Sequence, residues 1–384
     1  MIELLLVLAC FFMYDARKQI CMKFKEMNIE IRKVHIMNEE MDLDEGVPLL
    51  PQGIKVGITY NLKKGKNTET QDSEAEYDNI ETIDALKKAL SEAGAVVTLL
   101  EADEKLPERL SKTKVDIIFN IAEGISGRGR EGQIPALLNM YQIPYTGSDE
   151  TTLCLALDKA LTKRLLSTYR IRTPHYVVMD KANKKLPSNL SFPIIIKPNA
   201  EGSSKGISNV SIVTNQEELR KLADQNIGAY HQSMLAEEYI EGREFTVGLL
   251  GNGDSVHVFT PMEIVYQKET QGNFHVYSYQ VKQEYQKYVR YECPSSIDMS
   301  IQKQMMDDSK KIFKALSCRD FARIDYRVSK EGKVSFIEIN PLPGLAPNYS
   351  DYPMLADFCG VPYNKLVVSI LRAALIRYGM MKVR

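Results

Sequence analysis

The chain reads as α/β, with an N-terminal open, mostly parallel sheet followed by two smaller α+β domains. Three observations predict this. From Ile54 to about Ser148, strand-like apolar runs alternate with segments of helical spacing, the pattern of βα units. Beyond Cys154 the strands stand apart around a glycine-rich turn, and near the C-terminus two strands close on a turn containing Gly332. At 384 residues and 44% hydrophobic content, the chain can bury more than one core.

The elements follow in order. Ile54–Tyr60 (IKVGITY) is a buried-strand run, and Asn79 to Ala93 carries Ile80, Ile83, Leu86 and Leu90 at helical spacing. Strands at 96–100 and 115–122, a Gly/Arg loop, a helix around Ile134 to Tyr141 and IPYTGS (143–148) complete this domain, 51–153. A central domain, 154–245, holds a helix from about Cys154 to Tyr169, the strand FPIIIKP (192–198) and a strand near Met234 to Tyr239. The C-terminal domain, 246–384, adds further strands, a helix over Ile301 to Leu316, two last strands and a terminal helix from Tyr363. Residues 1–50 read as an extension. Their apolar run Leu4 to Met13 is too short to span a bilayer, and Glu3 stands where a secretory signal carries positive charge. A cytoplasmic protein is the expectation.

Composition narrows the function classes. Forty-nine basic and fifty acidic side chains leave a net charge of -1, so no global field favours nucleic acid or an anionic membrane. Six cysteines without metal-ligand spacing fit a reducing compartment.

Four segments carry chemistry. In FARIDYRV (321–328) and KVSFIEINP (333–341), a hairpin with a two- or four-residue loop about Glu331-Gly332 puts Asp325 opposite Glu338 and Arg323 opposite Asn340. Ile337 and Ile339 then share the apolar face. Two facing carboxylates repel unless a divalent cation neutralises them, and hard oxygen donors suit Mg2+, with Mn2+ as an alternative. Pro341-Leu342-Pro343-Gly344 ends the strand in a turn whose N–H groups could face an oxyanion. Lys197 runs into a loop with Gly202, Ser203, Ser204 and Gly206, which can aim N–H and hydroxyl groups at phosphate. The others are Asp158-Lys159, within a helix, and the acidic turn from Leu235 to Glu244. Taken singly each has an ordinary reading: acids screened by Arg323 and Arg327, a plain turn, a surface lysine and a solvated charge run.

Their order is more specific. EGQIPALLNMYQIPYTGSD (131–149), DK (158–159), IIKPNAEGSSKG (195–206), EEYIEGRE (237–244), ARIDY (322–326) and IEINPLPGL (337–345) together resemble the D-alanine:D-alanine ligase branch of the ATP-grasp superfamily. The resemblance implies an ATP-grasp fold, with ATP between the central and C-terminal domains, and a carbon–nitrogen ligase forming ADP through an acyl phosphate. It makes Lys159 and Lys197 the phosphate cations, and Gly202, Ser203, Ser204 and Gly206 a flap over them. Glu237 and the backbone at Ile240 would meet adenine, and Glu244 the ribose. Asp325, Glu338 and Asn340 would hold magnesium, Arg323 and Gly344 the anionic intermediate, and Lys282 would reach the transferred phosphate. Small amino-acid-like or peptide substrates, a role in peptidoglycan or peptide biosynthesis and a homodimer are also implied, with no nucleic acid and no stable membrane insertion.

Departures cluster at the substrate positions. Glu123-Gly124 replaces a histidine–glycine pair, Gln283 follows Lys282 where tyrosine is common, and the segment after Gly344 is one residue longer before its proline. The acceptor serine position is therefore shared between Tyr349 and Ser350, and the glutamate that grips the first amino acid is unplaced within Asn61 to Asp78. The expectation is a ligase whose substrates are not simply two D-alanines. A nucleotide-binding regulator without turnover and an ATP-dependent phosphotransferase are the other classes, separable by products.

Overall fold

The computed structural model describes residues 50–65, 74–202, 211–267 and 274–382. The extension, Leu50 apart, falls outside them, as do Ser203, Ser204 and Gly206.

The first sheet comprises β1 (Lys55–Tyr60), β2 (Val96–Glu101) and β3 (Ile117–Asn120), in the order β2-β1-β3 and all parallel. The crossover from β1 to β2 is α1 (Ile80–Glu92), whose Asn79 cap accepts from the Thr82 N–H and whose buried face is Ile83, Leu86, Ala89 and Leu90. Helix α2 (Leu106–Lys112) precedes β3, and α3 (Gln133–Met140) follows it. The predicted helix after Ser148 is two helices, α4 (Glu150–Leu157) and α5 (Lys159–Thr168). The break lies at Asp158, whose carboxylate caps α5 by accepting from the Leu161 N–H at 3.0 Å, a local bond that competes with continuing the helix.

A second, four-stranded antiparallel sheet follows, with β4 (Tyr176–Met179), β5 (Ile194–Pro198), β6 (Ile212–Val213) and β7 (Met234–Glu238) in the order β4-β7-β5-β6. Helix α6 (Gln216–Tyr230) packs on it. The third sheet is built from β8 (Gly242–Leu250), β9 (His257–Val258), β10 (Met262–Tyr266), β11 (Val289–Glu292), β12 (Phe321–Ser329) and β13 (Val334–Asn340). Its order is β11-β10-β8-β12-β13, with β9 paired to β8. Two short helices, α7 (Tyr279–Gln283) and α8 (Tyr285–Tyr288), precede β11, and α9 (Met299–Ala315) precedes β12.

The chain closes with α10 (Asp351–Phe358) and α11 (Tyr363–Arg377). These do not serve the third sheet alone. Leu366, Ile370 and Leu371 of α11 share one core with Val56 and Ile58 of β1 and Leu86 and Leu90 of α1. Among the described residues no single helix is long and apolar enough to cross a membrane.

Candidate active site

The hairpin β12–β13 places Asp325 opposite Glu338 and Arg323 opposite Asn340, as its alternation predicts. It does so by another route. The turn takes three residues, Lys330 to Gly332, where two or four were expected, with Ser329 N–H donating to Lys333 O and Gly332 at φ 76°, so Val328 pairs Val334 and Tyr326 pairs Phe336. A bulge at Ile337 then restores the pairing at Asp325. The bulge corrects one expectation: Ile337 leaves the apolar face it was to share with Ile339 and lines a cavity beside Glu338.

The facing carboxylates are not left to repel. Arg323 grips Asp325 with two bonds, Nε to Oδ1 at 3.1 Å and Nη2 to Oδ2 at 2.9 Å, while Thr246 donates to Oδ1 at 2.7 Å. Lys159 Nζ lies 3.4 Å from Glu338. Although burial opposes ionisation, Lys159, Lys197 and Arg323 hold the Glu338 carboxyl down to about 2. The sequence argument from repulsion would make Asp325→Asn harmless without metal, and the structure reverses it. Removing that charge leaves a buried arginine with only its more distant counter-ion, Asp351 at 3.4 Å, so Asp325→Asn should lower Tm without magnesium as well as with it. An unchanged or raised Tm by calorimetry would restore the repulsion account.

Lys159 and Lys197, the two lysines expected at phosphate, are held by a shared scaffold. Asn199, just past β5, donates to Asp158 Oδ1 at 2.9 Å and accepts from the Ala160 N–H. This ties the start of α5, and hence Lys159, to the strand that carries Lys197. Lys159 is 7% exposed, not a surface lysine, and its Nζ donates to the Glu201 carbonyl. Lys197 Nζ lies 2.5 Å from Glu237, whose other oxygen is 3.0 Å from Lys163. Glu237 is thus the counter-ion of two buried lysines, not part of a solvated charge run. Sequence reading missed Lys163, which also donates to the Ile337 carbonyl at 2.9 Å. It stands four residues after Lys159, on the same helical face, and that spacing was the available signal.

On the far side of the same cavity, Glu244 accepts from Tyr266 and from Arg327, each at 2.8 Å. Arg327, expected only to screen acids, is buried, bonds Tyr239 Oη and stacks over its ring. Ile240 and Val276 supply apolar wall. Lys282, Arg323 and Glu338 border this cavity and also a second, acid-lined one containing Lys159, Asn340 and Gly344. Lys282 and Gly344 further border a third, with Ser350 and Tyr349. Three cavities therefore meet at Lys282.

Gly344 faces Ser350 so closely that a Cβ there would stand 2.8 Å from its Oγ, which places Ser350 at the third cavity's wall against the oxyanion turn. Tyr349 instead accepts from Gln283 at 2.9 Å. The acid-lined cavity also reveals Glu76 and Asp78, which sequence reading left unplaced, and Glu131. Arg130 pairs bidentately with Glu76 and lies 3.2 Å from Glu201, and the Gly202 N–H donates to Glu76 at 2.7 Å. Gly124, at φ 82°, lets the backbone pass where a Cβ would meet the Arg130 carbonyl at 2.0 Å.

Burial pushes the Asp78 carboxyl up to about 7; burial, with Glu76 nearby, pushes Glu131 up to about 8. A carboxyl raised in the folded state stabilises fully below its unfolded value and loses that contribution as pH climbs through its folded value. Ligand-free protein should therefore lose stability from about pH 4 to about pH 8, by up to ~1.4 kcal/mol per pH unit for each group. Calorimetry across that range checks it. Glu131→Gln should flatten the upper part, and an equal slope in both proteins would remove Glu131 from the cause.

The comparisons agree with this geometry. A family model described as D-ala D-ala ligase C-terminus matches residues 165–372. A D-alanine--D-alanine ligase of Aquifex aeolicus is 36% identical over 294 residues, covering 76% of this chain and 94% of that protein. An uncharacterized protein, y4sG, of Sinorhizobium fredii is 32% identical, covering 77% and 88%. Among solved structures, the ATP complex of D-alanine--D-alanine ligase from Bacillus anthracis superposes with a TM-score of 0.66 at 21% identity, over 86% of this chain and all of that one. The VanG D-Ala:D-Ser ligase from Enterococcus faecalis gives 0.65, also at 21%, over 84% of this chain and all of that one. The fold is ATP-grasp, and the chain belongs to the D-alanine:D-alanine ligase family.

Proposed function

We propose that this protein is an ATP-dependent, ADP-forming ligase that joins the carboxylate of one small amino-acid-like substrate to the amine of another. One observation carries the reading: Lys282, Arg323 and Glu338 stand where the cavity bounded by Glu237 and Glu244 opens on the acid-lined cavity. Phosphoryl transfer is catalysed chiefly by positioning and by neutralising oxygen charge, and this junction supplies both. ATP, a co-substrate, fits the first cavity. Ile240 and Val276 offer apolar surface to a base, Glu244 accepts hydroxyl bonds, and Lys197, Lys159 and Lys282 face the phosphates.

A substrate carboxylate oxygen bonds to the γ-phosphorus as the bridging P–O bond to ADP breaks, giving an acyl phosphate. The amine nitrogen then bonds to the carbonyl carbon. Arg323 and the Gly344 N–H stabilise the tetrahedral oxyanion, the C–O bond to phosphate breaks, and the amine's proton leaves with phosphate or solvent.

Asp325, Glu338 and Asn340 suit a magnesium ion, since two carboxylates and an amide oxygen on one ladder form a hard donor set. Asn340 Nδ2 stands 3.4 Å from Asp325, and turning the amide over presents its oxygen. When bound, the cation neutralises phosphate oxygen charge. Glu338→Gln should raise the magnesium needed for half-maximal rate about tenfold, ~1.4 kcal/mol. An unshifted requirement would take Glu338 out of the set. Product analysis tests the whole reading: free phosphate in step with ADP supports a ligase, phosphate retained on the substrate means a kinase, and ATP binding without ADP means a regulator.

A further inference from the structure

The acid-lined cavity presents more carboxyl groups than an ordinary amino acid can answer. Arg130 serves Glu76 and Glu201, and Lys159 serves Glu338. Among the described residues no hydrogen bond or ion pair reaches the carboxylates of Asp78, Glu123 or Glu131. Glu131 is 8% exposed and lines the cavity with the other two. A buried carboxylate without a partner is expensive, and burial raises all three above the usual carboxylate range. The magnesium ion proposed above uses Glu338 and Asn340 of this lining, and among the described residues Asp78, Glu123 and Glu131 are not grouped to hold a further ion. The missing counter-charge is therefore spread over a larger, organic cation.

A substrate's α-ammonium answers one of these carboxylates, and its carboxylate belongs beside Arg323 and Lys282. Two acids remain. Resting on the ligase reading above, we propose that the carboxylate-bearing substrate is a diamino acid, whose α- and side-chain ammonium groups are received between them by Asp78, Glu123 and Glu131, with Glu131 taking the side-chain one. The pocket wall that replaces the histidine of related sequences by Glu123 thus selects for a second positive charge.

Ornithine and norvaline share a five-carbon chain and differ in the terminal amine, so the pair isolates that charge. Both enantiomers of each are used, in two measurements. Calorimetric titration, with a non-hydrolysable ATP analogue and magnesium present, should show one enantiomer of ornithine binding at least tenfold tighter than either norvaline. Glu131→Gln should reduce that ratio at least fivefold, with the analogue still bound. In the second, ADP release with an amine acceptor should show the same preference in kcat/KM. Norvaline or D-alanine binding as tightly as ornithine would overturn the proposal and leave the ligase intact. Tight ornithine binding without ADP release would keep the diamino-acid pocket and sink the ligase reading. A preference for ornithine unaltered in Glu131→Gln would also overturn the assignment.

Discussion

Lys197→Met is expected to cut ADP release by a hundred- to a thousand-fold, about 2.7–4 kcal/mol of barrier, the scale of removing one preorganised group that stabilises developing charge. The side chain sits at the end of β5 and borders the cavity between Glu237 and Glu338, where the transferring phosphoryl group would collect negative charge. Lys163 provides the control. It pairs with the same glutamate, but its side chain is fully buried and its ammonium donates to the Ile337 carbonyl. Lys163→Met should therefore act mainly on stability, lowering Tm with a much smaller loss of kcat. Steady-state ADP release beside thermal unfolding separates the two lysines. A large loss of kcat in both variants, or in neither, would refute the division between charge supply and scaffold.

The second large effect is on folding. Glu237→Gln leaves Lys163 and Lys197 in the interior without their anion, and breaking a buried pair by removing one partner costs about 3–5 kcal/mol. Its pH dependence has a defined sign. Burial already brings Lys163 down to about 8 against the pull of Glu237, and losing that pull lowers it further. A lysine depressed in the folded state destabilises most at low pH, where it must stay charged, and the penalty shrinks as pH rises through its folded value. Urea unfolding should show the variant's deficit largest near pH 6 and smaller near pH 9. A loss below about 1 kcal/mol, the same at both pH values, would mean that Glu237 is not the counter-ion.

These residues show what the sequence could and could not disclose. The hairpin pairing was read from side-chain alternation with period two, which a one-residue change in the loop would have reversed. Here a three-residue turn shifts the register by one and the Ile337 bulge shifts it back, so the pairs Asp325–Glu338 and Arg323–Asn340 agree only because the two deviations cancel. The apolar assignment of Ile337 had no such protection. Glu237 was found through its motif but its pairing with two lysines was not, because they arrive from α5 and β5 and no local spacing announces them. Glu76, Asp78, Glu123 and Glu131 come from two loops that only tertiary structure unites. The scaffold at Asp158 was hidden for a different reason: an apolar-periodic stretch gives no sign that a carboxylate inside it will turn back to cap the next helix.

The core that joins β1 and α1 to α11 has a consequence for biosynthesis. Translation delivers the first sheet early, yet Leu366, Ile370 and Leu371, which cover part of it, lie in α11 and leave the ribosome much later. Non-local contacts of this kind are slow to form and leave apolar surface exposed while they wait. The first sheet is thus held unfinished until α11 has emerged, and a nascent chain cut short before Tyr363 carries an open core that a chaperone or protease can recognise.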